Sequence, residues 1–303
     1  MTPNEMYEEF NSLLDTDDGF LTGAEVWRKL DAANREIFRV IAKQDPTYFV
    51  QTETITLVAD TALYDLPLNA RLGSRILFTE DIANGTEITP LQELRSLLDF
   101  DAPGIANTTT SYHFIMEGKK VRIVGKPGSS GKTVRVWYIP TFGQMIEGEI
   151  SAATTTTLTL FTDAPNYTTN FGKPDVRDDF YNGMEVLITE NAGVGDQRTI
   201  TDYTGGSTLT ITVDSAWSET LSTTSGSKTR FAIMSPVPED FHQMVPMRAG
   251  IDGAIKTRTR IDDISRVYYG YSGRPGLEKG LLAWLQNRQD ASLNLVVPMD
   301  VSY

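Results

Sequence analysis

Apolar residues near the start of the chain recur at helical spacing, which predicts two amphipathic helices. Thr2, Pro3 and Glu5 have the order of an N-cap, a first-turn proline and a capping-box glutamate, so the first helix should run to about Leu14. A second capping box should open a longer helix that ends before a proline. Thr22 and Glu25 form this capping box, and Asp45-Pro46 ends the helix. Its apolar stripe consists of Val26, Leu30, Ala33, Ile37 and Ile41.

Alternating polar and apolar residues replace this helical pattern and predict strands. A short helix is also expected from Thr89 to about Leu98, and a hairpin is expected to turn at Gly118. The predicted strands of this part are 53–58, 62–67, 75–79, 112–117, 120–124 and 134–139.

Residues 143–235 are rich in Thr, Ser, Gly and Asp and contain no helical periodicity, so they predict a small all-β domain of about six strands. Turn dipeptides such as Asn182-Gly183 and Gly205-Gly206 separate the strand patterns. The predicted strands are 158–161, 184–189, 198–203, 209–213 and 231–234.

Helical patterns return after residue 238. One helix should span Glu239 to about Arg258, with Pro246 kinking it or starting its second half, and Arg274-Pro275 should open the last helix. The sequence therefore predicts an α+β fold: a discontinuous helical body with a small β meander, 1–142 and 236–303, and an inserted sandwich- or barrel-like β domain, 143–235.

The charge balance argues against tight nucleic-acid binding. The chain carries 40 acidic and 27 basic residues, a net charge of −13, and the basic residues are scattered along the sequence. Such a balance repels phosphate at long range, although DNA could still slide past the surface without sticking. A surface charge that only keeps the protein soluble would give the same numbers. A surface that DNA slides past and an ordinary soluble surface therefore both stay open as interpretations.

The residue inventory excludes several other classes. The chain has no cysteine, so disulfides, thiolate metal sites and cysteine nucleophiles are excluded. No stretch approaches the roughly 20 apolar residues of a membrane helix, and the acidic first ten residues do not resemble a signal peptide. Synthesis in the cytoplasm and no membrane partner are therefore expected.

Two motifs imitate ligand sites but have the wrong spacing. Residues 128–133 read GSSGKT, yet Lys126 stands where a phosphate loop needs its first glycine, and no helix is predicted to follow. Asp15 and Asp17 suggest a calcium loop, but Gly19 takes a ligand position and Glu25 is eleventh instead of twelfth. A hairpin turn and a solvated acidic turn are expected instead, and no metal or cofactor.

The catalytic candidates are weak. His113 and His242 are the only histidines, and neither lies near a nucleophile-elbow or zinc-binding motif. The acidic pairs Asp178-Asp179 and Asp262-Asp263 are adjacent in sequence, and neighbouring residues do not converge on a helix or a strand. We expect no catalytic residues and no enzymatic activity.

Two apolar or aromatic segments are interface candidates. The end-piece 293–303 is apolar and extended, so it should pack on another chain such as a neighbouring copy, unless it packs on its own subunit or stays disordered. Tyrosine is enriched at interfaces, but a buried core explains the tyrosine cluster equally well. The candidates are Leu293, Leu295, Val296, Val297 and Tyr303, and Tyr268, Tyr269 and Tyr271.

Four features together resemble the head-to-tail adaptor (connector or tail accessory) proteins of tailed bacteriophages. They are the helix around Trp27 to Ile41, the passage from Thr54 to Pro67 with a T-x-x-x-Y-x-L-P-like pattern, the meander between Tyr112 and Pro140, and the helical pair after Pro238. The resemblance covers about two-thirds of the chain at the level of pattern, and the 143–235 segment departs from the usual family.

The resemblance implies a structural virion protein that forms a ring, a dodecamer in the usual case, at the head–tail neck. Its implied partners are other copies of the chain, the portal protein, tail tube, nozzle or tail-fibre proteins, and double-stranded DNA passing non-specifically during genome ejection. Because fixed cations would hold DNA, a channel lined mostly by acidic and small polar residues is expected.

Three other functions remain open at this stage, and one of them is a sugar-binding β domain with helical additions. The β domain also suits a tail-fibre, baseplate or receptor-binding subunit, although the capped helices at the start argue against it. A polysaccharide-acting enzyme would need two convergent acids or a metal site, which the sequence does not offer.

Overall fold

The structure is a computed structural model. It describes residues 1–14, 21–67, 69–70, 77–81, 88–90, 92–93, 113–124, 133–141, 144–257 and 262–293. These residues form α-helices and mostly antiparallel sheets, an α+β fold with an all-β portion, as the sequence predicts. The motifs at residues 15–19 and 128–132 lie outside the described residues.

The first two helices begin where their capping residues predict. Helix α1 spans Pro3–Leu14, and the Thr2 and Glu5 groups exchange backbone and side-chain hydrogen bonds at 2.7 and 3.2 Å. Helix α2 spans Gly23–Gln44 and has a complete capping box between Thr22 and Glu25. Both predicted N-termini are therefore confirmed, and the caps satisfy amide groups that a helix start leaves without partners.

The chain divides into two compact units, residues 1–48 with 142–303 and residues 49–141. The helices and the sheet of residues 146–233 belong to the same unit. The division predicted from the sequence, with residues 143–235 as an inserted domain, stays a prediction.

Two four-stranded sheets make up the unit 49–141. Their orders are β1-β8-β3-β4 and β2-β7-β6-β5, antiparallel throughout except for the β5–β6 pair. Their inner faces share one apolar core, to which Leu57, Phe114 and Val136 belong. The strands are β1 Gln51–Thr56, β2 Leu63–Asp65, β3 Leu77–Asp81, β4 Ile88–Pro90, β5 Gln92–Glu93, β6 His113–Glu117, β7 Lys120–Val124 and β8 Thr133–Tyr138.

The hairpin predicted around Gly118 is confirmed, but the short helix predicted to start at Thr89 is wrong in its described part. Strand β4 pairs with β3, and β5 pairs with β6, some twenty residues further along the chain. The local signal at Thr89-Pro90 resembled a helix start, and long-range strand pairing overrides it. The rest of that predicted helix lies outside the described residues.

Tyr64 gives the Y-x-L-P pattern a structural role. Its side-chain oxygen accepts from the Val58 amide at 3.0 Å and lies 2.9 Å from the Thr61 carbonyl, to which it donates. The bonds close a turn in which Asp60 has a positive φ of 61°. The tyrosine thus fixes the path of the chain between β1 and β2.

A seven-stranded antiparallel sheet occupies residues 146–233, in the order β10-β11-β14-β13-β12-β15-β9. The five predicted strands are confirmed, and two short ones at the start of the segment were missed. Its core contains Tyr181 and Tyr203, whose rings meet edge to face at 4.8 Å. The strands are β9 Ile146–Glu149, β10 Ala152–Ala153, β11 Thr157–Thr159, β12 Glu185–Glu190, β13 Gln197–Thr204, β14 Thr210–Val213 and β15 Arg230–Ile233.

The helical region after the sheet starts later than the sequence predicts. A short 3₁₀ helix, Glu239–Phe241, precedes helix α3, Met244–Thr257. Pro246 therefore lies in the first turn, where its missing N–H has no intrahelical partner to lose. Helix α3 packs against both α1 and α2.

The predicted start of the last helix at Arg274-Pro275 is wrong. Helix α4, Asp262–Tyr269, leads into a two-stranded hairpin of β16 Gly270–Tyr271 and β17 Arg274–Pro275, and helix α5 spans Leu277–Leu293. Gly273, with a positive φ of 82°, turns the chain at the hairpin tip, which a proline-initiated helix pattern does not reveal.

We predict that Tyr64→Phe lowers the free energy of unfolding by about 1–2 kcal/mol, because it leaves the Val58 amide without its acceptor. Chemical denaturation of the two proteins measures the difference. Tyr271→Phe is the matched control, since the Tyr271 side chain is exposed. Equal stability of the Tyr64→Phe protein and the wild type would contradict this role.

Candidate functional site

The described residues show no cluster suited to metal-dependent chemistry. Among them, no group of three or more His, Asp or Glu side chains could hold a metal ion. Asp178 instead accepts the Gly205 amide at 2.7 Å, and Asp179 accepts the Asn182 amide group at 2.8 Å. Asp262 and Asp263 lie in the first turn of α4. These acidic residues therefore stabilise turns and the start of a helix.

His242 lies buried beside the start of the chain. Its Nε2 atom is 2.8 Å from the Val237 carbonyl and its Nδ1 atom is 3.0 Å from the Met1 amino group. Burial lowers the pKa of His242, and the positive Met1 amino group lowers it further. A neutral imidazole that donates from Nε2 and accepts at Nδ1 satisfies both contacts.

A buried carboxylate joins α1 to the sheet in the same unit. The Glu147 carboxylate on β9 accepts the Asn4 amide of the first α1 turn at 2.8 Å, and Arg230 lies 3.6 Å from it. Burial raises the pKa of Glu147, although the Asn4 and Arg230 contacts oppose that shift. A carboxylate at this position also compensates the positive end of the helix dipole.

An exposed aromatic surface lies where α4 passes into the β16–β17 hairpin. Val267 is 50% exposed, Tyr269 43% and Tyr271 51%. The Arg274 guanidinium lies 5.7 Å from the centre of the Tyr271 ring. We call Val267, Tyr269, Tyr271 and Arg274 the tyrosine patch. Tyrosine and arginine are the residue types that dominate binding energy in protein interfaces.

Close backbone packing holds the hairpin under this patch. A Cβ atom on Gly270 would lie 2.5 Å from the Arg274 carbonyl oxygen, and one on Gly276 would lie 2.2 Å from the Gly270 nitrogen. Both positions therefore require glycine. A patch held this rigidly would lose little conformational freedom when a partner binds.

The structure separates the three tyrosines predicted as interface residues. Tyr268 is buried, with its ring 4.8 Å from that of Tyr269, whereas Tyr269 and Tyr271 are exposed. Leu293 ends α5. Leu295, Val296, Val297 and Tyr303 lie outside the described residues.

Val267 and Arg274 were missed by the sequence analysis. Val267 and Tyr268 stand three and four residues after the buried Ile264, a spacing that predicts burial for both, so no sequence pattern signalled the exposure of Val267. Arg274 was assigned to a helix start, and that error concealed its place beside Tyr271.

A family model described as SU10 adaptor protein matches residues 1–172 of the chain. The chain belongs to the SU10 adaptor protein family. No curated protein matches it. The family supports a phage structural adaptor, a virion component that assembles as an oligomer with portal and tail proteins, and it favours a non-enzymatic role.

The family match places the candidate residues in two groups. Helices α1 and α2, the Tyr64 turn and Glu147 lie inside the matched residues, and the tyrosine patch lies beyond them. No described helix of this adaptor is both long and apolar enough to cross a bilayer.

We predict that acidification below a pH of about 6.5 destabilises the adaptor through His242. The pKa of His242 is lower in the folded protein than in the unfolded chain, so the unfolded chain binds a proton on His242 at a higher pH. Stability therefore falls as the pH drops from the unfolded-state pKa of His242 to its folded-state pKa. Glu147 and Asp31, whose pKa values are raised by burial, contribute in the opposite direction at lower pH.

His242→Gln isolates this contribution, since Gln can keep the bond to Val237. Denaturation of both proteins across the pH range should show a wild-type decline that the variant lacks. The substitution itself should cost about 1 kcal/mol at neutral pH. Parallel pH profiles for the two proteins would contradict the assignment.

Proposed function

We propose that this adaptor forms a closed ring that docks on the portal, extends the DNA channel and provides the platform for tail attachment. The match to the SU10 adaptor family over residues 1–172 carries the proposal. A ring of about twelve copies would follow from repeated head-to-tail contacts that close by rotation.

The tyrosine patch supports a contact with another chain. Tyr269 at the end of α4 and Tyr271 in the hairpin leave apolar area solvated beside the exposed Val267, and a contact with another chain would bury it. In this proposal, Tyr269 and Tyr271 contact a neighbouring copy or the portal. The apolar residues Leu293, Leu295, Val296, Val297 and Tyr303 supply a second contact, while Tyr268 supports the patch from inside.

The net charge of −13 suits a protein past which DNA moves. Lysine and arginine side chains on a channel wall would bind DNA phosphates, because binding releases the counterions of the DNA. Such contacts would hold the DNA in place. A channel surface of acidic and small polar residues would avoid such contacts.

Native mass measurement of the purified adaptor, alone and with its portal protein, tests the proposal. We expect a ring of about twelve copies, or a complex with the portal of matching copy number. A trimer would favour a fibre or baseplate subunit instead. A chain that stays monomeric when the portal is present would contradict the proposal.

The tyrosine patch makes a separate prediction. Tyr269→Ser with Tyr271→Ser should weaken assembly with copies or portal by about 2 kcal/mol or more, because interface tyrosines carry a large share of binding energy. Val194→Ser removes a comparably exposed apolar side chain from a loop of the sheet and is the control. Sedimentation of each variant measures the effect, and equal assembly of all three proteins would exclude the patch as an interface.

A further inference from the structure

Helix α2 carries a row of cations on its exposed face. Arg28, Arg35, Arg39 and Lys43 are all exposed and lie within about 40° of one line along the helix at 100° per residue. The row is about 22 Å long at 1.5 Å per residue. We call these four residues the basic row.

Among the cations of this row, the carboxylates of α2 neutralise only Arg35 within the described residues. Asp31 is buried and pairs with Arg35 at 2.5 Å, Glu36 pairs with Arg248 of α3 at 2.9 Å, and Glu25 serves the capping box. For Arg28, Arg39 and Lys43 the described part of the chain offers no carboxylate within ion-pair distance.

The spacing of the row is unfavourable in an isolated subunit. Arg35, Arg39 and Lys43 follow one another at four-residue intervals, where like charges repel. The helix dipole favours Lys43 in the last turn but not the cations further back. An opposing acidic surface would relieve this repulsion.

Helix α1 supplies a surface of that kind. Glu5 and Glu8 are exposed and Glu9 is partly exposed. At 100° per residue Glu8 lies opposite the buried Met6 and Phe10, Glu5 lies 60° from Glu8, and Glu9 borders the buried face. They span about 6 Å along the axis, the distance between Arg35 and Arg39. No ion pair joins these glutamates to the basic row within the described residues of one chain, so both surfaces are available to a second molecule.

We propose that the basic row of α2 binds the acidic face of α1 on a neighbouring copy of this chain. The inference rests on the proposed ring and names one of its contacts. The net charge of −13 repels DNA and a second copy alike at long range, so it does not choose between them. A second copy is favoured because it brings an acidic surface whose length matches part of the row.

Charge reversal on each side tests the contact. Arg39→Glu with Lys43→Glu, and Glu8→Lys with Glu9→Lys, should each weaken self-association roughly ten-fold or more, because each change places like charges opposite one another. Glu5 is left intact because it caps α1. Lys119→Glu with Lys173→Glu makes the same change in net charge as the α2 reversal, at exposed sites elsewhere, and should assemble like the wild type.

Mixing the two reversed proteins gives the decisive result. Each is self-repelling, but together they restore opposite charges at every α1–α2 contact, so an equimolar mixture should assemble with alternating composition. Native mass spectrometry reads the composition, and recovery in the mixture also shows that both variants are folded. Wild-type assembly should weaken as salt rises.

Four outcomes would count against this inference, and they distinguish failure of the contact from failure of the ring. A ring that both reversals leave intact would overturn the contact alone, as would variants that fail to recover when mixed. Normal assembly of the Arg39→Glu, Lys43→Glu protein with loss of binding to double-stranded DNA would reassign the row to nucleic acid. A wild-type chain that never assembles would overturn the ring and this inference together.

Discussion

The close packing of α3 against α1 is the constraint on which the helical part of this adaptor depends. A Cβ atom on Gly253 would lie 2.7 Å from the Leu14 side chain and 2.9 Å from the Phe10 ring, so a larger residue would displace the ends of both side chains. On its other side α3 holds α2, through Lys29 donating to the Asp252 carbonyl and through Arg248 between Glu36 and Asp252. Segments more than two hundred residues apart in sequence are thereby fixed together.

This packing determines what the helices can present to a partner. With their apolar faces buried against α3 and the sheet, α1 and α2 expose mainly charged residues, and Glu147 anchors the first turn of α1 at the edge of the sheet. The tyrosine patch is similarly held by backbone contacts at Gly270 and Gly276. The surfaces that we propose as contacts are therefore carried on rigid elements, which suits a structural component of a virion.

Local chemistry made much of this fold predictable. The capping boxes at Thr22 and at Thr2 set both helix starts, and alternation set most strands, because each signal involves residues only a few positions apart.

The errors arose where distant residues decide the structure. The strand at Thr89 depends on a partner strand, and the hairpin at Arg274 depends on backbone contacts with Gly270. The bond from Asn4 to Glu147 spans 143 positions, and no local pattern signals it. Tyr268 and Tyr269 are neighbours of the same type, and only the packing of α4 decides which is exposed.

The central claim is that this chain is a structural part of the phage neck whose surfaces serve contact between subunits. Electron cryomicroscopy of the intact virion tests it most directly, because it locates the chain among its partners. The account predicts a ring of this chain between portal and tail, with α1 of one copy facing α2 of the next. Finding the chain only in fibres, or absent from the particle, would contradict it.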